Sequence, residues 1–251
     1  KWYTSPAYSE TFKPKTKAET VAGLAVENRM MLLKGLSGNF PKELKPKIFL
    51  TSKEINWAKE VMSTAGIPHN KPIIMVGVMG SSPEKTYPLE YLATILDFIS
   101  EKSNSGFLFN YIPHQLEEVK KLLKICSPET RKNIYFDVSG KNLREFIALT
   151  SQCSAYIGNE GGAANMAKAV EIPTFSIFSP QIKKENWAMY EDGKKNVSVH
   201  LADFKPEVLA DLSKHQIWEK AAQFYELFHP NLILAKIEMF LKLNLSQNHN
   251  S

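Results

Sequence analysis

Residues 156–170, YIGNEGGAANMAKAV, place a carboxylate, Glu160, directly before the glycine pair Gly161 and Gly162, where an apolar run gives way to a helical pattern. A glycine pair permits a tight strand-to-helix turn and lets the atoms of another molecule come close to the backbone. The free N–H groups of the helix start then face whatever lies above the turn, and a phosphate suits them. Glu160 should not face such a phosphate directly. It is placed instead to accept hydrogen bonds from sugar hydroxyls or from the N–H groups of its own turn, which leaves those of Gly161, Gly162 and Ala163 for a pyrophosphate. A compact turn with no ligand at all uses the same residues, and this stretch alone leaves both readings open.

Two further loops carry unusual polar content. In MGSSPEKTYP, residues 79–88, the backbone and hydroxyls of Gly80, Ser81 and Ser82 are donors and Lys85 is a flexible positive charge, a combination that suits a phosphate oxygen. The glycine–lysine spacing is not that of a Walker loop. A solvated loop with an idle lysine is the plain alternative. In NYIPHQLEE, residues 110–118, Gln115, Glu117 and Glu118 open a helix, where acids complement the dipole and where one of them could also accept ribose hydroxyl hydrogens. His114 reads as a surface histidine.

These loops follow apolar runs. From residue 71 the chain alternates strand and helix: PIIMVGVM, GFLFNYI, NIYFDVS, AYIGN, PTFSIFS and a shorter NVSVHL, with helical patterns between the first five. Near-continuous apolar strands alternating with helices predict a parallel sheet covered on both faces, a Rossmann-like α/β domain over residues 71–225. In such a sheet ligands bind at the carboxyl ends of the strands, where the three loops lie. Residues 226–251 read as an amphipathic helix, with Ile233, Ile237 and Phe240 set for core packing, followed by a frayed tail. Residues 1–70 read as a remnant of a preceding domain and a linker helix. Within them, residues 1–17 form a loop, and residues 18–36 are helical, ending at Gly35 or Gly38. PKIFL is a short strand, and residues 52–67 are a helix with Ser52 as N-cap and Gly66 as stop. The opening residues look like an internal start, which suggests a piece of something longer.

The chain has 251 residues, 43% of them hydrophobic and 23% charged, as in an ordinary globular protein. Its net charge of +5 favours anionic partners, but the lysines are scattered, so nucleic acid is not expected. Cys126 and Cys153 show neither metal-ligand spacing nor a disulfide framework, which points to a reducing, cytoplasmic setting. No apolar stretch is long enough to span a membrane.

Together the three loops resemble those of the heptosyltransferases, glycosyltransferase family nine. That family has the GT-B fold of two facing Rossmann-like domains, and the resemblance is to its C-terminal half. There a strand ending in Gly leads into a polar stretch, Lys, an aromatic, Pro and a helix, which Lys85, Tyr87 and Pro88 match. The family's Asp-Thr-Gly turn, with a His three residues on, corresponds to Glu160, Gly161, Gly162 and Asn165. Pro173, Phe178, Pro180 and Trp187 continue the match. The likeness covers residues 71–190 and extends weakly upstream. It implies transfer of a sugar from a nucleotide-diphosphate donor, ADP-heptose-like, to a lipopolysaccharide or glycolipid acceptor. No metal or other cofactor takes part, and the work is done in the cytoplasm or at the inner membrane surface. Lys85 and the serines would neutralise the diphosphate, Gln115 or Glu117 would hold the ribose, and Glu160 and Asn165 would touch the donor. The family's general base lies in first-domain sequence that this chain lacks, so no catalytic base is assigned. A GT-B transferase with another nucleotide sugar and a non-catalytic nucleotide-sugar-binding protein are the alternatives.

Overall fold

The computed structural model describes residues 11–36 and 45–245. The expected opening loop before residue 11, the stop at Gly38 and the tail beyond residue 245 lie outside them. In chain order the elements are α1 (Leu24–Met31), α2 (Ser52–Thr64), β1 (Ile73–Gly77), α3 (Leu89–Ser103), β2 (Gly106–Asn110), α4 (Leu116–Ile125) and α5 (Pro128–Lys132). Then come α6 (Leu143–Ser151), β3 (Ala155–Asn159), α7 (Gly162–Ala169), β4 (Thr174–Ile177) and α8 (Lys184–Trp187). The chain closes with β5 (Asn196–Val199), α9 (Lys214–Glu219), α10 (Ala221–Leu227) and α11 (Leu234–Leu245). They form two compact units, residues 1–45 with 183–191, and residues 46–182 with 192–251. This division departs from the boundaries read in the sequence: α2 and the segment before it join the sheet, and so does the C-terminal helix.

The smaller unit is organised by one buried carboxylate. Glu27 of α1 accepts from Lys15 Nζ (2.9 Å), from the N–H groups of Glu19 (2.8 Å) and Thr20 (2.7 Å), and from Thr20 Oγ1 (2.9 Å). Burial works against its charge, but Lys15 and the converging donors outweigh that and hold the pKa at about 2. At the N-terminus of α1, Gly23 has φ 84° and lies so close to the Ala188 carbonyl that a Cβ would meet it at 2.6 Å. Helix α8 offers Trp187 to the Arg29 guanidinium, 5.9 Å from the ring centre.

The larger unit is a five-stranded parallel sheet in the order β2-β1-β3-β4-β5. Its strands are short and almost wholly buried because both faces are covered. Alternation along each strand sends Ile74, Val76, Phe107, Phe109, Ile157, Phe175 and Ile177 to the face carrying α3, α4, α10 and α11. Ile73, Met75, Leu108 and Tyr156 go to the face carrying α2, α6 and α7. Ile233, Ile237 and Phe240 are buried in the first of these layers, as the pattern of the last helix predicts.

Three local expectations are corrected. Residues 133–139 do not form a strand. Ile134 makes a single bridge to Phe107, then the Val138 N–H turns back to the Tyr135 carbonyl (3.1 Å), and Phe136 stacks on Tyr111. The segment at residues 46–50 is extended but joins no ladder, since its neighbour is the end of α7, contacted by Ile48 N–H at the Ala169 carbonyl (3.0 Å). The N-cap of α2 is Thr51, not Ser52, because Thr51 exchanges side-chain and backbone hydrogen bonds with Glu54 in a capping box.

At the carboxyl edge, β1 and β3 meet through glycines. Gly77 pairs with Gly158, and a Cβ on Gly158 (φ 144°) would fall 2.4 Å from the Gly77 carbonyl oxygen. Here the side chain of Asn159, the last residue of β3 and only 2% exposed, turns back over β1. Its Oδ1 accepts from the Tyr87 N–H (2.7 Å), while Nδ2 donates to the carbonyls of Gly77 (3.0 Å) and Val78 (2.9 Å). One amide thus pins both ends of the long loop after β1.

Two outcomes follow from these buried groups. Asn159→Asp keeps an acceptor for Tyr87 but turns the other oxygen, when ionised, against two carbonyls, so folding drives its pKa up. The variant is destabilised by about 2–4 kcal/mol at neutral pH, and part of that returns in acid, where a protonated carboxyl can donate again. Urea unfolding across pH measures it. Glu27 has the opposite sign: its folded pKa lies below the unfolded 4.5, so its stabilisation is present above that value and fades as pH falls toward 2. Amide protection factors at Glu19 and Thr20 should fall in Glu27→Gln at neutral pH, and the gap to the parent should close in acid.

Candidate functional site

The strand order reverses direction between β1 and β3, and the crevice above that point is where an open parallel sheet binds ligands. The loop after β1 forms one wall. Gly80 is needed there because a Cβ would lie 2.2 Å from the Lys85 carbonyl oxygen. The Gly80 N–H donates to Thr86 Oγ1 (3.0 Å), which donates onward to the Ser82 carbonyl (2.9 Å), closing the loop around a 3₁₀ turn at Pro83–Lys85.

Neighbouring loops clamp this wall from outside. Gln115, after β2, accepts from the Ile112 N–H (3.1 Å) and donates to the Gly80 carbonyl (3.3 Å). After β4, Ser179 Oγ (2.9 Å) and Gln181 Nε2 (3.2 Å) both donate to the Glu84 carbonyl. Beneath lies Tyr87, fully buried, its hydroxyl on the Phe228 carbonyl (2.7 Å) and its ring edge-on to Tyr225 and Phe228. The scaffold is satisfied almost everywhere.

The groups facing the crevice are not. Ser81 is exposed, Ser82 and Lys85 are partly so, and the Lys85 ammonium makes no hydrogen bond or ion pair among the described residues. It nevertheless lies within electrostatic range of the Glu160 carboxyl, beside the glycine bend. Across the crevice, Gly161 caps α7 with φ 142° and ψ −160°, a conformation closed to other residues, yet nothing lies within 4 Å of where its Cβ would be. The glycine answers a backbone need, and the space above it is open to a visitor. The N–H groups of Gly161, Gly162 and Ala163 have no acceptor among the described residues, as expected for a first helical turn without a side-chain cap.

Glu160 is half-buried. Its own N–H is spent on the Ile177 carbonyl (3.0 Å), and its carboxyl accepts nothing from its own turn. Burial pushes its pKa up and Lys85 partly offsets this. Asn165 sits one turn into α7, its N–H on the Gly161 carbonyl (3.1 Å). Thus Gly80, Ser81, Ser82, Lys85, Glu160, Gly161, Gly162, Ala163 and Asn165 come from the two loops that flank the crevice. Gln115 is at its edge with its amide committed to the loop, and Glu117 lies outward on α4, 78% exposed and paired with Lys120 (2.8 Å).

Sequence reading missed Asn159, Ser179, Gln181 and Tyr225. Asn159 left one signal, a polar residue closing an apolar run, whereas Tyr225 left none. Its hydroxyl is buried beside Ser179, without a close hydrogen-bond partner among the described residues, and is near enough to Glu160 to feel its charge.

Known proteins place this architecture. Among solved structures, a glycosyltransferase family 9 protein from Veillonella parvula has a TM-score of 0.66 at 18% identity, over 90% of this chain and 65% of its own. The ADP-heptose LPS heptosyltransferase II of E. coli has a TM-score of 0.57 at 15% identity, covering 81% of this chain and 62% of its own. The E. coli heptosyltransferase WaaC with ADP-2-deoxy-2-fluoro heptose has a TM-score of 0.52 at 12% identity, covering 78% and 54%. The chain therefore spans just over half to about two thirds of the length of these proteins, and at such identities the likeness establishes the fold. No functionally curated protein is significantly similar. The sequence model of glycosyltransferase family 9 (heptosyltransferase) matches residues 2–215, so the chain belongs to that family.

Proposed function

We propose that the chain is the donor-binding part of a transferase that moves a heptose-like sugar from a nucleoside diphosphate to a lipopolysaccharide-type acceptor. The observation that carries this is the Lys85 ammonium, unpaired among the described residues, within electrostatic range of Glu160 at an open glycine bend whose N–H groups have no acceptor there. Paired phosphates need a mobile cation on one side and fixed N–H dipoles on the other, and the crevice supplies both. Family membership supports the same reading, as do the ADP and ADP-sugar analogue bound by the E. coli heptosyltransferase of similar fold.

In sugar transfer the glycosidic C–O bond of the donor lengthens and negative charge builds on the departing diphosphate. Lys85 and the N–H groups of Gly161 and Gly162 are placed to receive it, and pre-oriented donors do so without reorganising. Ser81 and Ser82 can add hydroxyl donors from the opposite wall. Because the Gln115 amide also fixes the Gly80 carbonyl, we assign it to shaping this wall as well as to the neighbourhood of the ribose. Glu117, turned outward, is given a lesser part. The acceptor and the group that deprotonates it are assigned to the rest of the GT-B architecture, and the work to the cytoplasmic side of a membrane whose anionic surface the basic chain would favour. No helix among the described residues is long and apolar enough to cross a membrane.

A second reading, a donor other than ADP-heptose, is favoured by the turn itself, where Glu160, Gly161 and Asn165 stand in place of Asp, Thr and His in the resembling family pattern. Calorimetric titration with ADP and UDP separates the two by which nucleotide binds tighter. Lys85→Ala should weaken the preferred nucleotide about tenfold or more, the loss of one charge-assisted contact. Its melting temperature should stay within about 2 °C, since the side chain holds nothing else in place. Glu117→Ala should bind as the parent does. An unchanged affinity in Lys85→Ala removes that residue from the site.

A further inference from the structure

We propose that binding of a nucleoside diphosphate in this crevice is coupled to the uptake of a proton by Glu160. The inference rests on the donor-binding reading above and adds a property of its own to it.

The argument begins with the surroundings of that carboxyl. Three titratable groups face it: Lys85 from the loop after β1, Tyr156 from β3, and Tyr225 from α10. Of these, Lys85 alone is cationic. Burial pushes both phenols up, Glu160 adds to this in each, and Ser179 offsets part of it in Tyr225, so neither relieves its charge. Nor does either donate to it. The Tyr156 hydroxyl is given to the Asn159 carbonyl (2.9 Å), and the hydrogen-bonding neighbour of the Tyr225 hydroxyl is Ser179, not Glu160. Ser179, nearby, is committed to the Glu84 carbonyl. Glu160 is therefore a half-buried carboxylate whose charge is opposed by burial and supported by one ammonium.

A diphosphate takes that support away. It brings several negative charges into the crevice and draws the Lys85 ammonium to itself, leaving two anions in a partly desolvated space. Like charge and lost counter-charge both raise a carboxyl pKa. Protonation of Glu160 removes the repulsion and also converts an acceptor into an O–H donor for a phosphate oxygen. The sign follows. Because the bound-state pKa lies above the free-state pKa, the contribution of Glu160 to affinity rises as pH falls between the two values, and a fraction of a proton per site is taken up across that window. The nucleotide's own terminal phosphate titrates in the opposite sense, and a glutamine at position 160 separates the two effects.

The experiment is calorimetric titration of the full chain with ADP and with UDP at about pH 6 and about pH 8, in buffers of different ionisation enthalpy, for the parent and for Glu160→Gln. The parent should take up more protons per nucleotide than the variant. Glu160→Gln should bind about three- to tenfold tighter than the parent at the higher pH and nearly equally at the lower one. Equal proton exchange in the two proteins, or weaker binding by the variant at both pH values, overturns the coupling while leaving the donor site in place. Failure of both nucleotides to bind the parent at either pH overturns the donor-binding reading, and the coupling with it.

Discussion

The crevice depends on one buried amide. Asn159 closes β3 and turns its side-chain amide to β1 and the loop after it, holding the Tyr87 N–H with one atom and the Gly77 and Val78 carbonyls with the other. Those three groups mark the two ends of the loop that carries Lys85. Without the amide, a buried donor and two buried acceptors would be left unsatisfied, which costs more than the bonds themselves contribute. Geometry allows the arrangement only because β1 and β3 present glycines to each other. A methyl group on Gly77 would meet the Tyr156 hydroxyl at 1.9 Å, and that hydroxyl in turn holds the Asn159 carbonyl. Strand pairing, side-chain bonding and loop position are thus fixed by one contact set at the topological switch point.

Around it the polar groups divide cleanly. Those that build the wall are paired: Gly80, Ser82, Glu84 and Tyr87 are held by Thr86, Gln115, Asn159, Ser179 and Gln181. Those that face the crevice have no hydrogen-bond partner among the described residues: the Lys85 ammonium, the Glu160 carboxyl and the N–H groups of the glycine bend. A folded chain seldom leaves polar groups unmatched where a core would match them, and the exceptions concentrate where a ligand completes the set. The charge layout adds a direction to this. Lys85 is poised between a neighbouring carboxylate, Glu84, and one across the gap, Glu160, with no hydrogen bond to bind it to either. A more highly charged anion can take it from both.

Much of the fold was legible because its signals are short-range. Five apolar runs became the five strands, and glycines, prolines and helical spacing located most of the helices. The exceptions have local physical causes. Residues 133–139 carry a strand-like run, but Phe136 is used sideways, against Tyr111 and Phe109, so pairing stops after one bridge. Thr51 rather than Ser52 caps α2 because Glu54 stands three residues after the threonine, the spacing a capping box needs. In the site, the glycine bend and Lys85 could be read from residues adjacent in sequence. Asn159, Ser179 and Gln181 could not, since each acts on a backbone group 72 to 97 residues away, and such pairings exist only once the sheet has formed. Gln115 was visible as a polar residue at a strand tip, yet its bond to the Gly80 carbonyl was not, and that bond changes its role.

The central claim is that the carboxyl edge of β1 and β3 holds a pair of phosphates between a mobile ammonium and a row of fixed N–H groups. A crystal structure of the protein with ADP tests it most directly. The account predicts diphosphate oxygens within hydrogen-bonding reach of Lys85 Nζ and of the Gly161 or Gly162 N–H, with the Asn159 clamp unchanged. Diphosphate bound elsewhere on the sheet, or bound at the bend with Lys85 turned away, would contradict it.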